Sequence, residues 1–184
     1  MLPTERIQKR IALDAIMIAL YVVLNVLIEI PIGNVKFTFG PLPIIIASFY
    51  LGTGHACIIA AFGEMLSQVL TYGVTYSFLL WPIPPIARAL IISFLVFVLV
   101  KSRKNASLTE FGYLGYFIII LVSGFITTIL NTGVIAVDAL IYNYFSYKIV
   151  FGSLVVRIVV MAVSSVIYTA ISKPIVDTLS RNRI

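Results

Sequence analysis

Long apolar runs separated by short polar clusters set the pattern of this chain. The runs cover 11–30, 55–71, 83–100, 113–137 and 152–172, and each approaches the roughly 20 residues that a helix needs to cross a bilayer. A further run, 41–51, differs: as a helix it rises only about 16 Å against a hydrocarbon thickness of roughly 30 Å. Either it begins nearer Lys36, or it is a short helix entered through irregular backbone. Gly52-Thr53-Gly54 supplies a tight turn after it. Pro41, Pro43, Pro82, Pro84 and Pro85 suit helix openings, where the first turn needs no backbone donors, and Pro174 marks the close of the last helix. The alternative is one kinked helix over 41–71, which gives five spans instead of six.

Charge separates the two topologies. With six spans, Arg6, Lys9, Arg10, Lys101, Arg103, Lys104, Lys173, Arg181 and Arg183 share one side, and Lys36 and Lys148 take the other. Five spans put most of the positive charge outside. Cytoplasmic loops carry the excess of Lys and Arg, so the pattern predicts an all-α polytopic membrane protein: six transmembrane helices, both termini cytoplasmic, one membrane-embedded domain over 1–184. Composition agrees. The chain is 61% hydrophobic and 11% charged, against about 25% charged in a soluble domain, which excludes soluble and disordered classes. The net charge of +6 lies in clusters that flank apolar runs, so it predicts a lipid bilayer as partner and no nucleic acid. The first run is too long for a signal core and no small-x-small cleavage site follows it, so it reads as a retained span.

Ionisable side chains inside spans cost several kcal/mol and mark functional candidates. Projected through six spans, Glu64, Arg88 and Arg157 fall roughly 7–11 Å below the external boundary. Asn25 and Asn131 land at the same depth, Gln68 sits one turn from Glu64, and Thr127 one turn from Asn131. Every helix except the second contributes to this layer, and the inner half has almost nothing comparable. That distribution predicts a cavity open to the outside and closed toward the cytoplasm. A Glu64–Arg88 pair that merely fastens helices is the competing reading.

Above this layer the loops are aromatic, with Tyr72, Tyr76, Phe78 and Trp81 in one and Tyr142, Tyr144, Phe145 and Tyr147 in another. Such rings form interfacial belts, and some can stack on a flat or bulky ligand. Lys36 lies in the first external loop, PIGNVKFTFG, whose glycines suit a gate. In the first helix Ala12, Ala15 and Ala19 follow the small-residue spacing that lets backbones approach in lipid; packing within the chain would use that face as well. No phosphate-binding G-x-x-x-x-G-K-[ST] loop, H-E-x-x-H motif or Ser/His or Cys/His pairing occurs. Cys57 is the only cysteine and His55, the only histidine, reads as structural at a cytoplasmic turn. No catalytic residue and no metal site is expected.

The ordered set Ala12-Leu13-Asp14-Ala15-Ile16-Met17-Ile18-Ala19, VKFTFGPLPIIIASFYLG, AAFGEMLSQVLTYG and YSFLLWPIPPIARAL resembles the substrate-binding S-component of energy-coupling factor (ECF) vitamin transporters, over about residues 11–172. The resemblance implies a bacterial cell-membrane subunit that captures a vitamin outside. It would work beside a shared transmembrane subunit and two ATPases, which use the ATP; the chain has no cofactor of its own. It also implies that Ala12, Ala15 and Ala19 meet the shared subunit. It implies too that the external loops and the outer ends of helices four to six form the pocket. Together with the polar layer and the aromatic loops, the expected substrate-binding set is Asn25, Lys36, Glu64, Gln68, Tyr72, Tyr76, Trp81, Arg88, Asn131, Tyr142 and Arg157. FGPLPIIIA is similar to the folate-like branch, but Leu80-Trp81-Pro82-Ile83-Pro84-Pro85 replaces a Pro-Gly-Phe-Thr-like segment there, and the wide aromatic rim favours cobalamin. Folate or another vitamin is the alternative, and an autonomous facilitator or channel is the alternative class.

Overall fold

The computed structural model describes residues 3–33, 35–102 and 111–181; Arg103, Lys104 and Arg183 of the charge count lie outside the described residues. Helix α1, Pro3–Val22, continues as a π-helical stretch, Val23–Leu27. The first helical run therefore ends short of residue 30, because Glu29–Ile32 forms strand β1 and pairs antiparallel with β2, Val35–Thr38. The register sets Glu29 opposite Thr38 and Ile32 opposite Val35. Gly33, at φ 61°, opens the tight turn between them, where a positive φ costs glycine little. The predicted gate loop is thus a β-hairpin.

Helix α2, Pro41–Tyr50, is the short helix expected after irregular backbone, with Pro41 in its first turn. Leu42 to Phe49 are all buried, as an all-round apolar helix requires. Gly52 turns the chain at φ 99° into α3, Thr53–Tyr72. Then come α4, Ile83–Ser102, α5, Tyr113–Ile141, a single turn α6, Tyr147–Phe151, and α7, Leu154–Arg181. Pro174 does not end α7 as predicted; it lies inside the helix, and its carbonyl accepts the Thr178 hydroxyl at 2.8 Å. Membrane-type helices tolerate proline where neighbours and Ser or Thr satisfy the freed groups. Four stretches are long and apolar enough to span: Gln8–Leu27, Ile83–Lys101, Tyr113–Ile141 and Tyr147–Arg181. Polar residues such as His55, Glu64 and Gln68 lower the hydropathy of α3, and α2 has 10 residues.

The helices alternate in direction, so the bundle has a hairpin end and an end that holds both Pro3 and Arg181. The apolar core reaches toward the latter around Phe49, Phe111, Tyr116, Ile119 and Val176. The rings of Phe49 and Tyr116 stack with centroids 4.3 Å apart. This half is not free of ionisable groups, contrary to the sequence reading. His55 Nδ1 lies 2.8 Å from the Asp14 carboxylate and ties α3 to α1. Lys173 donates to Asp177 at 2.6 Å and sits over the Tyr113 and Tyr116 rings. The pairs escaped notice because Asp14 and His55 are 41 positions apart, while Lys173 and Asp177 lie beyond the predicted helix end.

Candidate ligand-binding site

At the hairpin end the helices splay around four adjoining hollows of about 390, 230, 220 and 250 Å³. Asn131 of α5 lines the first three, and Gln68 of α3 and Trp81, just before α4, line all but the second. The hollows are therefore lobes of one compound cavity. Its largest lobe is walled by Asn25, Lys36, Gln68, Tyr72, Trp81, Asn131 and Arg157. Glu64 and Arg88 face the lobe of about 220 Å³, and Tyr142 faces that of about 250 Å³ with Tyr72 and Trp81.

Ten of the eleven predicted binding residues thus converge on one cavity. Tyr76 does not: its side chain is 92% exposed and lines none of the four lobes. Its backbone N–H donates to the Tyr142 hydroxyl at 3.1 Å. Helix α2 was expected to add no polar residue to this layer, and the residues it presents to the cavity, Pro41, Ile44 and Ile45, form apolar walls.

Local structure positions each polar group. Asn25 sits in the π-helical stretch, a distortion common at functional sites, and its Oδ1 accepts from the Thr38 hydroxyl at 3.0 Å. Gly40 packs against it so closely that a Cβ there would lie 2.8 Å from Asn25 Oδ1. On the hairpin, Lys36 Nζ donates to Glu29 at 2.7 Å across the strands. Glu64 does not pair with Arg88. Its two oxygens accept from the Tyr21 hydroxyl at 2.5 Å and from Gln68 Nε2 at 2.7 Å. The ion pairs among the described residues are Lys36–Glu29, His55–Asp14 and Lys173–Asp177. Arg88 and Arg157 instead reach the Thr127 and Thr132 hydroxyls, each at 3.4 Å.

The sequence reading missed a polar clamp on the loop between α3 and α4. Asp138, near the end of α5, accepts short hydrogen bonds from Ser77 and Tyr144. The bond to Asp138 pushes the Tyr144 hydroxyl up to about 12. Ser77 is buried and, with Asp138, lines the lobe of about 250 Å³. Ser77 and Asp138 are 61 positions apart, so no spacing rule joins them. On α1, Ala12, Ala15 and Ala19 are all exposed, beside Ile11 and Ile16 at 63% each; packing within the chain does not explain the alanine face.

The profile of the ECF-type riboflavin transporter S component matches residues 7–177. The chain belongs to that family of transport subunits. A solved structure described as the S component of a bacterial ECF transporter shares the fold, with 21% identity and a TM-score of 0.62 over 95% of this chain and 99% of that one. Among curated proteins, no sequence relative matches. None of these comparisons supports the expectation of cobalamin.

Proposed function

We propose that this S-component captures riboflavin in the compound cavity at the hairpin end, as the binding subunit of an ATP-driven importer. The observation that carries the reading is the convergence of Asn25, Gln68, Trp81 and Asn131, from four separate elements, on one hollow. A flat heteroaromatic ring system offers faces for Trp81 and Tyr72 to stack on and edge donors and acceptors for the amide side chains. The largest lobe, about 390 Å³, lies toward the small end of the roughly 300–1,000 Å³ range of small-molecule pockets, which favours a tricyclic ring over a corrin. In this reading the hairpin end faces outward and the chain crosses a bacterial plasma membrane six times. Both termini are then cytoplasmic, with α2 and α3 completing the six. The exposed Ala12, Ala15 and Ala19 face meets a shared transmembrane subunit, and two ATPases supply the energy.

The test is thermal stabilisation of the purified chain by riboflavin, cobalamin, folate, pantothenate and biotin, because stabilisation rises with the logarithm of ligand excess. Riboflavin alone is expected to raise the melting temperature and to bind at nanomolar-scale affinity. Stabilisation by cobalamin but not riboflavin would reverse the substrate assignment. Uptake into proteoliposomes by this chain alone would favour a facilitator instead.

A further inference from the structure

We infer that α6 and the loop before it form an interfacial anchor, a patch of rings that lies among the phospholipid headgroups at the hairpin end of the bundle. Helix length places it there. With 28 residues, α7 rises about 42 Å, the depth of a bilayer including its headgroups, roughly 40–45 Å. Helix α5, with 29 residues, reaches as far. Both therefore leave the membrane between Ile141 and Leu154, and what joins them lies at its boundary. The apolar stretch Tyr147–Arg181 is longer, at 35 residues, and it breaks at Gly152 and Ser153, between α6 and α7. A Cβ at Gly152 would stand 2.2 Å from the Lys148 carbonyl oxygen, so this break has no room for a side chain.

The surface that α6 presents is apolar and uncovered. Val150 is buried and fixes the turn to the protein, whereas Tyr147 is 76% exposed and Ile149 and Phe151 are exposed with it. Phe145, Tyr147 and Phe151 form a ladder, with successive ring centroids 5.5 and 6.3 Å apart. A contiguous apolar patch of this kind marks a contact surface, and its continuity with α7 identifies the occupant. Val155, Val159 and Val163 are exposed along one face of α7, at the spacing of a single helical stripe, which a spanning helix turns to lipid. That stripe starts one turn past Phe151. Acyl chains that cover it therefore carry their headgroups beside the ladder, the level at which amphipathic rings are favoured. Lys148, exposed on the same turn, lays its stem along this surface and reaches lipid phosphates with its ammonium. The anchor holds whatever ligand the cavity takes.

Fluorescence quenching by brominated lipid tests this directly. Trp81 is the only tryptophan, so an added one is read by difference from the native chain. Tyr147→Trp and Phe151→Trp, each in the otherwise native full chain, are placed in phosphatidylcholine nanodiscs brominated either near the headgroup or near the acyl-chain end. Both new tryptophans should be quenched, about twofold more by the shallow bromines, as for side chains held roughly 5–10 Å into the headgroup–acyl boundary. Ile149→Trp replaces either variant that melts below the native chain. Quenching by neither lipid would put α6 in water and overturn the anchor. Stronger quenching by the deep bromines would overturn it too, by placing the turn in the hydrocarbon core. Lost quenching together with a dimer in mass measurements would give the patch to a second copy of the chain instead of to lipid.

Discussion

Lys173 and Arg88 are both cations carried into apolar surroundings, and the two ends of the bundle treat them differently. Lys173, with 8% of its side chain exposed, has Asp177 at 2.6 Å and two tyrosine rings beneath it. His55 and Asp14 make a second closed pair at that end. At the hairpin end, among the described residues, Arg88 and Arg157 have only long contacts to threonine hydroxyls, and they face a hollow. A charge closed on its partner, whether within α7 as for Lys173 or between α1 and α3 as for Asp14 and His55, belongs to the scaffold. A charge left open is an unmet demand that a ligand can satisfy.

The largest expected effect breaks this contrast from the closed side. Asp177→Ala leaves Lys173 unpaired and should cost roughly 3 kcal/mol, the low side of the about 3–5 kcal/mol for breaking a buried pair, since Asp177 keeps 23% of its side chain exposed. Arg88→Gln should do the opposite and leave the ligand-free melting temperature unchanged or higher. Parallel melts of the two variants decide: equal destabilisation by both would erase the distinction between the ends.

Next in size is Gly63→Ala. A Cβ at Gly63 would sit 2.7 Å from Tyr21 Cδ1, so the Tyr21 ring must move and release its bond to Glu64. Overpacking of this kind costs about 2 kcal/mol. A melt should show the loss, and ligand affinity should fall with it because Glu64 then keeps only one of its two donors, Gln68. A stability loss with affinity intact would detach Glu64 from the site.

How far these features were readable from the chain follows from the range of the forces involved. Apolar runs and helix-opening prolines are local, so α3, α4 and the start of α2 were predicted to within a few residues. The grouping of Asn25, Glu64, Arg88, Asn131 and Arg157 was legible from helical rise projected through the expected six spans, and all five line the cavity. The hairpin was invisible because four residues of alternation, Val35-Lys36-Phe37-Thr38, are too few to outvote a loop reading. Pro174 misled because helix-breaking rules assume water around the backbone. The Asp138 clamp depends on tertiary contact between a loop and a helix end, which spacing does not encode.

That clamp sharpens the comparison on the open side. Asp138→Asn keeps the shape and removes the charge that Ser77 and Tyr144 donate to. The loop that carries Trp81 should open more readily, raising koff about fivefold with little change in melting temperature, as for a hydrogen bond worth roughly 1 kcal/mol. Stopped-flow release of a bound flavin measures it. An unchanged koff would make the clamp a surface ornament of the fold.

The smallest effect is the most selective. Tyr144 is 44% exposed, so solvent screening leaves its bond to Asp138 worth a few tenths of a kcal/mol. Its hydroxyl titrates at about 12 in the fold, against about 10 for an ordinary tyrosine. The folded state therefore holds the proton more tightly than the unfolded chain. The bond contributes fully below about pH 10 and is lost as pH rises toward about 12. Other tyrosines and lysines ionise in that window, so the informative quantity is the difference between the native chain and Tyr144→Phe. That difference in melting temperature should be small and constant from neutral pH to about 10 and should decline to nothing as pH approaches about 12. A difference that persists at high pH would assign Tyr144 to ring packing, and the clamp would then rest on Ser77 alone.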